Sequence, residues 1–203
     1  MQNNSYNTKF PELDIDKDYF LREQRYADAK DFFKYFADPQ VSQYILSSIP
    51  TNFEEAQEEI MYWIDLYYKN TGIYWAIATK NTDKMIGAIG FHDWNKYNNR
   101  TEISYDLSKD HWGKGIMSKA TKVVLQFAFE TLNINRVQAS TIKENINSIK
   151  LLESNNFSKD GILRKYRYHR GKYYDIEMFS ILKEDFKQHN NQKKNAWNIW
   201  NKK

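Results

Sequence analysis

Apolar positions repeat with the 3.6-residue period of an α-helix in four segments of the chain. The first segment spans 26–36, and the second begins at Thr51, which forms a capping box with Glu54. A long stripe starts at Ile116, and a shorter segment covers 145–154. In the second segment the predicted buried face consists of Phe53, Ala56, Ile60, Trp63, Ile64 and Tyr67.

Runs rich in β-branched and aromatic residues predict strands between and after these helices. They cover 19–23, 73–79, 84–91, 101–107, 134–142, 160–168 and 173–182, and polar turns lie at 81–83, 95–99 and Arg170-Gly171. A helix between two strands implies parallel pairing, so the order predicts a mixed sheet. The expected fold class is α/β, with a twisted mixed sheet of about six or seven strands and helices on both faces.

The two ends of the chain are more polar than its middle. We predict that residues 1–12 are frayed, that 13–186 form one domain and that 187–203 are a mobile polar tail. No apolar run approaches the ~20 residues of a membrane span, and the first ten residues lack a signal-peptide core. The chain has no cysteine, which fits a reducing compartment. We expect a cytoplasmic protein with no membrane partner and no metal.

The formal net charge of +4 arises from 30 Lys and Arg against 26 Asp and Glu. We interpret this small excess as spread along the chain. It argues against a nucleic-acid partner and favours a basic patch that receives a small anion.

The stretch SKDHWGKGIMSKA, residues 108–120, carries the clearest chemical signal. Gly113 and Gly115 lie between the strand 101–107 and the helix that starts at Ile116. A strand, a glycine-rich turn and a helix N-terminus together present free backbone N–H groups, which suits a phosphate. The spacing matches neither a Walker loop nor a complete dinucleotide fingerprint, so the pattern alone leaves the ligand open.

This stretch resembles the acyl-CoA-binding motif of the GNAT superfamily of N-acetyltransferases, [Q/R]-x-x-G-x-[G/A]. WGKGIMSKA is most similar to the Rim-type branch, the ribosomal-protein alanine N-acetyltransferases and their relatives. ENINSIKLLESNNF, residues 144–157, resembles the E-N-x-x-S-x-x-x-L-E-x-x-G-F helix of that branch, and TEISYDL resembles its fourth strand. The similarity covers about 18–183 in the same order.

Three positions depart from the pattern of the superfamily. Asp110 stands where Gln or Arg is usual, and Asn156 replaces the glycine before Phe157. Asparagine tolerates the left-handed conformation of a helix end, so the fold is expected to accept Asn156. RKYRYHR, at 164–170, stands where some Rim-type enzymes carry a catalytic glutamate, so that base cannot be transferred to this chain.

The resemblance implies a GNAT fold with acetyl-CoA as co-substrate. In this fold the pyrophosphate is held by backbone amides, which here belong to His111, Trp112, Gly113, Lys114, Gly115, Ile116, Met117 and Ser118. The side chains of Lys114 and Lys119 are candidates to add charge. The pantetheine arm would extend the fourth strand along the main chain of Tyr105, Asp106 and Leu107, and Asn145 and Ser148 would contact it near the sulfur.

The resemblance also implies candidates for proton transfer. Glu102 is the predicted general base, with a surface salt bridge as its alternative role, and His92, Tyr105 and Asp175 are lesser candidates. Ser148 is the predicted proton donor to the leaving thiolate, or the residue that orients it. Asn145 is also a good helix N-cap, and the two roles are compatible.

The leading hypothesis is an acetyl-CoA-dependent N-acetyltransferase acting on a primary amine, either a protein N-terminus or a small molecule. The acceptor pocket would involve the first helices, the loop 92–99 and the final hairpin. A non-catalytic acyl-CoA-binding regulator or sensor is the alternative, and an RNA- or ribosome-associated protein is a third hypothesis. The chain is expected to be a monomer or a homodimer.

Overall fold

Strands and helices follow one another in nearly the predicted order in a computed structural model, which describes residues 9–188. The strands are β1 (Leu13–Asp14), β2 (Tyr19–Glu23), β3 (Ile73–Thr79), β4 (Met85–Asn95), β5 (Arg100–Leu107), β6 (Arg136–Thr141), β7 (Ser158–His169) and β8 (Lys172–Leu182). The helices are α1 (Ala29–Phe36), α2 (Pro39–Ser42), α3 (Phe53–Tyr68), α4 (Ile116–Gln126) and α5 (Ile146–Ser154).

All eight strands belong to one mixed sheet in the order β1-β2-β3-β4-β5-β6-β8-β7. The β5–β6 pair is parallel, and the other pairs between these strands are antiparallel. The predicted α/β class is confirmed. The sheet has eight strands rather than six or seven because β1 has only two residues and pairs with β2, and so short a run shows no periodicity in the sequence.

The sheet is covered on both faces, as predicted. On one face, α1 and α3 pack on a core that includes Phe32, Ile60 and Met85. On the other face, α4 and α5 pack on a second core, which includes Trp75 and Ile103. Alternate residues of a strand face opposite sides, and β3 and β4 contribute buried residues to both cores.

The parallel pairing between β5 and β6 is short. It joins 100–102 to 136–138 and then stops, although β5 continues to Leu107 and β6 to Thr141. Beyond Glu102 the two strands therefore separate, and one edge of β5 has no strand partner. This opening is called the cleft below.

The start of α3 differs from the prediction. The N-cap is Asn52, whose side chain accepts a hydrogen bond from the Glu55 amide at 2.9 Å. The Glu55 carboxylate in turn accepts a hydrogen bond from the Thr51 amide at 2.8 Å. The predicted Thr51–Glu54 capping box is wrong. The N-cap lies one residue later, at Asn52, because asparagine is at least as good an N-cap as threonine. Phe53, placed on the buried face, is 40% exposed.

Several local predictions are confirmed. Asn156 adopts a positive φ of 65° after α5. Arg170 and Gly171 have φ values of 47° and 77°, which are the positive values that a tight two-residue hairpin turn requires.

Two elements differ from the prediction. β4 extends to Asn95, four residues past the predicted strand end, and α4 is followed by a π-helical turn at Phe127–Thr131.

Near the chain ends, the described residues contact the domain. Phe10 is buried, and the Trp75 indole donates a hydrogen bond to the Pro11 carbonyl at 2.8 Å. Part of the segment predicted to be frayed, from Lys9 onward, thus packs on the core. Phe186 packs against Phe129. Residues 1–8 and 189–203 lie outside the described residues, and so does most of the predicted tail. From 9 to 188, no helix has the length and apolar character needed to cross a membrane.

Candidate active site

A run of six backbone amides faces outward at the N-terminus of α4. From Gly113 to Ser118, no N–H group donates a hydrogen bond to any acceptor within the described chain. These groups combine the unpaired donors of the first helical turn with those of the glycine turn. With the positive end of the helix dipole behind them, they can bind a diphosphate.

Gly113 and Gly115 give this run its shape. Their φ values are 73° and 71°, and a Cβ on either residue would meet no atom within 4 Å. Glycine is therefore required by the backbone conformation and not by crowding from the protein. The open space above both residues is available to a ligand.

The predicted run began at His111, two residues too early. The His111 and Trp112 amides donate to the carbonyls of Ser108 and Lys109 in a 3-10 turn. The Trp112 indole donates to the Leu107 carbonyl at 2.8 Å and braces the turn against the end of β5.

The side chains around the loop are mostly engaged. Lys114 Nζ donates to the Asp110 carbonyl at 2.8 Å, and Lys119 forms an ion pair with Asp16 at 2.7 Å. Burial and the nearby Lys114 charge lower the pKa of His111. Ile116 is buried in the core, so only its amide is available, whereas Met117 and Ser118 are half-buried.

The free edge of β5 presents alternate residues to the cleft. The Ser108 amide donates to the Ile86 carbonyl of β4, which sets the alternation along the antiparallel pair. It follows that the main-chain groups of Tyr105 and Leu107 point toward the cleft, while those of Asp106 point toward β4. Of the three residues predicted to contact pantetheine through the main chain, Tyr105 presents both groups to the cleft, whereas Leu107 presents only its amide because its carbonyl accepts the Trp112 indole hydrogen bond.

Two hydroxyl groups meet between β5 and α5. Tyr105 Oη lies 2.8 Å from Ser148 Oγ. Burial raises the pKa of Tyr105 to about 12. Asn145 caps α5, because its side chain accepts a hydrogen bond from the Ser148 amide at 3.2 Å. The cap therefore positions Ser148 next to Tyr105.

Glu102 lies where the β5–β6 pairing ends. Its carboxylate accepts hydrogen bonds from Gln138 Nε2 at 3.1 Å and from Ser140 Oγ, both neutral groups. His92 is directly opposite Glu102 in the β4–β5 register, and its ring lies 6.3 Å from that of Trp63. Asp175, a lesser candidate for the base, instead accepts a hydrogen bond from the Lys165 amide at 2.7 Å and braces the hairpin.

A second polar cluster lies on the α1–α3 side of β5. Tyr35 of α1 donates a hydrogen bond to Asp106 Oδ1 at 2.6 Å, and Tyr74 Oη lies 3.1 Å from Ser104 Oγ. Burial raises the pKa of Asp106 to about 7, although the Tyr35 hydrogen bond opposes that shift. Burial also raises the pKa of Glu59 on α3.

The sequence analysis did not foresee either hydroxyl contact, Tyr105 with Ser148 or Tyr35 with Asp106. Strand alternation could have indicated that Tyr105 shares a face with Ile103 and Leu107, opposite Asp106. The partners on α1 and α5 come from packing and carry no local signal. In the described part of the chain, no three carboxylate or imidazole side chains form a group that could hold a metal.

The chain is similar to known acetyltransferases in sequence and in fold. The family description "Acetyltransferase (GNAT) domain" matches residues 19–158. An uncharacterized N-acetyltransferase, p20 of Bacillus licheniformis, is 38% identical over 82% of this chain and 93% of its own length. A crystal structure of a probable acetyltransferase superposes with a TM-score of 0.78 at 25% identity, covering 86% of this chain and 98% of the other.

A further neighbour shares the fold. It is described as RimL, a ribosomal L7/L12 alpha-N-protein acetyltransferase, in complex with coenzyme A. Its TM-score is 0.76 at 19% identity, with 85% of this chain and 98% of that chain covered.

Replacing Gly115 by valine is expected to abolish binding of coenzyme A while the protein stays folded. A β-branched side chain at a φ of 71° is strained by about 1–2 kcal/mol and would occupy the space in front of the amides. Titration calorimetry with coenzyme A measures the affinity, and circular dichroism checks the fold. Gly161→Val is the control, because Gly161 is equally open but lacks a positive φ. Unchanged affinity in Gly115→Val would contradict the phosphate assignment.

Asp106 is expected to make stability depend on pH. Its native pKa of about 7 lies above the ordinary value of 3.8, so between these values the native carboxyl holds a proton that the unfolded chain has lost. The free energy of unfolding should therefore fall as pH rises through this window, by up to about 1.4 kcal/mol per pH unit. Urea unfolding between pH 5 and 8 should show a flatter profile for Asp106→Asn than for the wild type. The exposed Asp110→Asn variant should keep the wild-type slope, and equal slopes in all three proteins would refute the assignment.

Proposed function

Because the chain belongs to the GNAT acetyltransferase family, we propose that it transfers the acetyl group of acetyl-CoA to a primary amine by direct attack of the nitrogen on the thioester. The amine is at a protein N-terminus or on a small molecule. The observation that carries this proposal is the run of six unpaired amides, Gly113 to Ser118, at the mouth of a cleft that β5 lines with free main-chain groups.

In this proposal the main chain binds the donor. The amides from Gly113 to Ser118 hold the diphosphate, and the pantetheine arm lies along β5 as an added strand, bonded to the main chain of Tyr105 and to the amide of Leu107. The thioester then reaches the point where β5 and β6 separate. The RimL neighbour, described as a complex with coenzyme A, is consistent with a ligand of this class in the same fold.

The Tyr105–Ser148 contact supplies a hydrogen-bond donor to the leaving sulfur. Tyr105 is protonated at neutral pH, since burial raises its pKa to about 12. Ser148 Oγ is the hydrogen-bond partner of its hydroxyl among the described residues. Either oxygen of this pair can be the donor. In the proposed reaction Tyr105 donates to Ser148, and the serine proton is left for the thiolate.

On the opposite face of β5, Glu102 receives the proton of the acceptor. The neutral amine forms a C–N bond to the acetyl carbonyl carbon, the C–S bond breaks, and the thiolate accepts a proton from Ser148, which regains one from water. Glu102 takes the amine proton directly or through a water molecule and releases it to solvent. Gln138 and Ser140 hold the carboxylate in place for this step.

The acceptor would approach from the face covered by α1 and α3. His92 lies opposite Glu102 in the β4–β5 register, and its ring lies 6.3 Å from that of Trp63. An aromatic ring next to a carboxylate suits an amine that arrives protonated and loses its proton before attack. The face thus favours an amine over an alcohol as acceptor.

The direct test is acetyl transfer by the purified protein. Acetyl-CoA is mixed with a panel of polyamines, amino sugars and short peptides with free N-termini, and thiol release is followed together with the mass of the acceptor. We expect release that depends on at least one amine and an acceptor mass increased by one acetyl group. Tight binding of coenzyme A without turnover on a broad panel would instead favour the acyl-CoA-binding module.

Removing either hydroxyl is expected to lower kcat more than it raises KM for acetyl-CoA. Ser148→Ala should reduce kcat by about 100-fold, as for loss of a general acid, and Tyr105→Phe should reduce it less. The double variant should be little worse than Ser148→Ala, because Tyr105 acts through Ser148. Tyr68→Phe, which removes an exposed tyrosine hydroxyl from α3, is the matched control and should leave kcat unchanged. Additive losses would show that the two hydroxyls act separately.

A further inference from the structure

The last hairpin projects beyond the sheet. β6 pairs with β8 only as far as Thr141 and Glu177, whereas β8 residues 172–176 pair with β7 alone. β7 is also the edge strand of the sheet. Residues 163–174, called the basic ribbon here, are thus a two-stranded extension with no third strand. Because β5 and β6 are parallel and β8 runs opposite to them, the ribbon extends from the end of the sheet at which the cleft opens.

Among the described residues, the positive charge is concentrated in this ribbon. Residues 163–174 contain five lysines and arginines and no acidic residue, while the whole chain has a net charge of only +4. The rest of the chain is therefore net negative. The excess positive charge is therefore not spread along the chain, as interpreted from the sequence. The segment 187–203 is also basic but lies almost entirely outside the described residues.

The five cations of the ribbon form no ion pair among the described residues, although Lys172 Nζ lies 4.9 Å from the centroid of the Tyr174 ring. They are Arg164, Lys165, Arg167, Arg170 and Lys172, all exposed. The ten ion pairs between described residues include none of them. The nearest carboxylate, Asp175, is turned toward the Lys165 amide of the bulge.

Aromatic rings accompany the charges. Tyr166, Tyr168 and Tyr173 are 62%, 61% and 60% exposed. Tyr168 and Tyr173 are directly paired across the hairpin, with ring centroids 4.9 Å apart. Tyr166 lies next to them in the bulge between the Leu163–Ile176 and Arg167–Tyr174 pairs. None of the three tyrosines belongs to either hydrophobic core, so they have no packing role in the domain.

We propose that the basic ribbon is a binding site for single-stranded nucleic acid. The cations contact successive phosphates, and the exposed tyrosines stack on unpaired bases. A duplex could use the charges but not the rings, since its bases are already stacked. This proposal goes beyond acetyl transfer and does not depend on it.

The charge and the rings also decide between this partner and two others. A second copy of the chain, docked ribbon to ribbon, would bring ten unpaired cations together, which is repulsive. An acidic peptide would satisfy the charges but leave three exposed rings without a role. Single-stranded nucleic acid uses both features.

The test is fluorescence anisotropy with labelled 12-mers of RNA and DNA, single-stranded and duplex, between 50 and 200 mM KCl. We expect single strands to bind more tightly than the duplex. The slope of log K against log[KCl] should reach about −3.5 if all five cations contact phosphates. The RNA and DNA arms show which single strand is preferred, and either preference supports the proposal.

Two sets of variants separate charge from stacking. Arg164→Gln, Arg167→Gln and Arg170→Gln together should weaken binding at least tenfold and reduce the magnitude of the slope by about 2. Tyr166→Ser, Tyr168→Ser and Tyr173→Ser together should weaken binding at least tenfold with little change in slope. The charge-matched control is Lys30→Gln, Lys122→Gln and Lys150→Gln, three exposed lysines on the helices, which should change affinity less than threefold.

Several results would overturn the proposal. They are no binding of any 12-mer at 50 mM KCl, equal binding of duplex and single strand, and equal losses in the arginine variant and the lysine control. Displacement of the probe by a glutamate 12-mer as effectively as by unlabelled RNA would identify an acidic polypeptide as the partner. Sedimentation that shows a dimer in the wild type and a monomer in the arginine variant would identify a second copy.

Discussion

The arrangement of the site depends on one strand, β5, which is hydrogen-bonded along its whole length on one side and for only three residues on the other. Backbone N–H and C=O groups that lack a strand partner must be satisfied by water or by a ligand. The free edge of β5 is therefore a template for an extended molecule. It leads directly to the unpaired amides of the glycine turn, so one ligand can bind to both.

The same strand also keeps the two halves of the proposed reaction apart. Tyr105 faces α5 and reaches Ser148, while Glu102, Ser104 and Asp106 face α1 and α3. Because neighbouring residues of a strand point to opposite faces, a leaving group and an acceptor can be served from one short stretch without competing for space. The sheet separates a proton-donating side from a proton-accepting side.

The sequence was sufficient for the parts of the molecule that depend on local pattern. It placed every strand but β1, the turn at Arg170-Gly171, the left-handed Asn156 and the glycines before α4. It was insufficient where contacts join distant segments. Nothing local to Tyr35 or Tyr105 identifies Asp106 or Ser148 as a partner, and the 3-10 turn that uses the His111 and Trp112 amides follows from the closure of the loop. The net charge of the whole chain also gives no sign that five positive charges lie together in one hairpin.

The hairpin has a further structural consequence. Its outer rungs join β7 and β8 only, so residues can be removed or added there in opposed pairs without breaking a single hydrogen bond of β6. Such a change leaves both cores and the cleft as they are. Related chains can therefore differ in hairpin length while the rest of the domain keeps one architecture, and the reach of this arm can vary independently of the sheet that carries it.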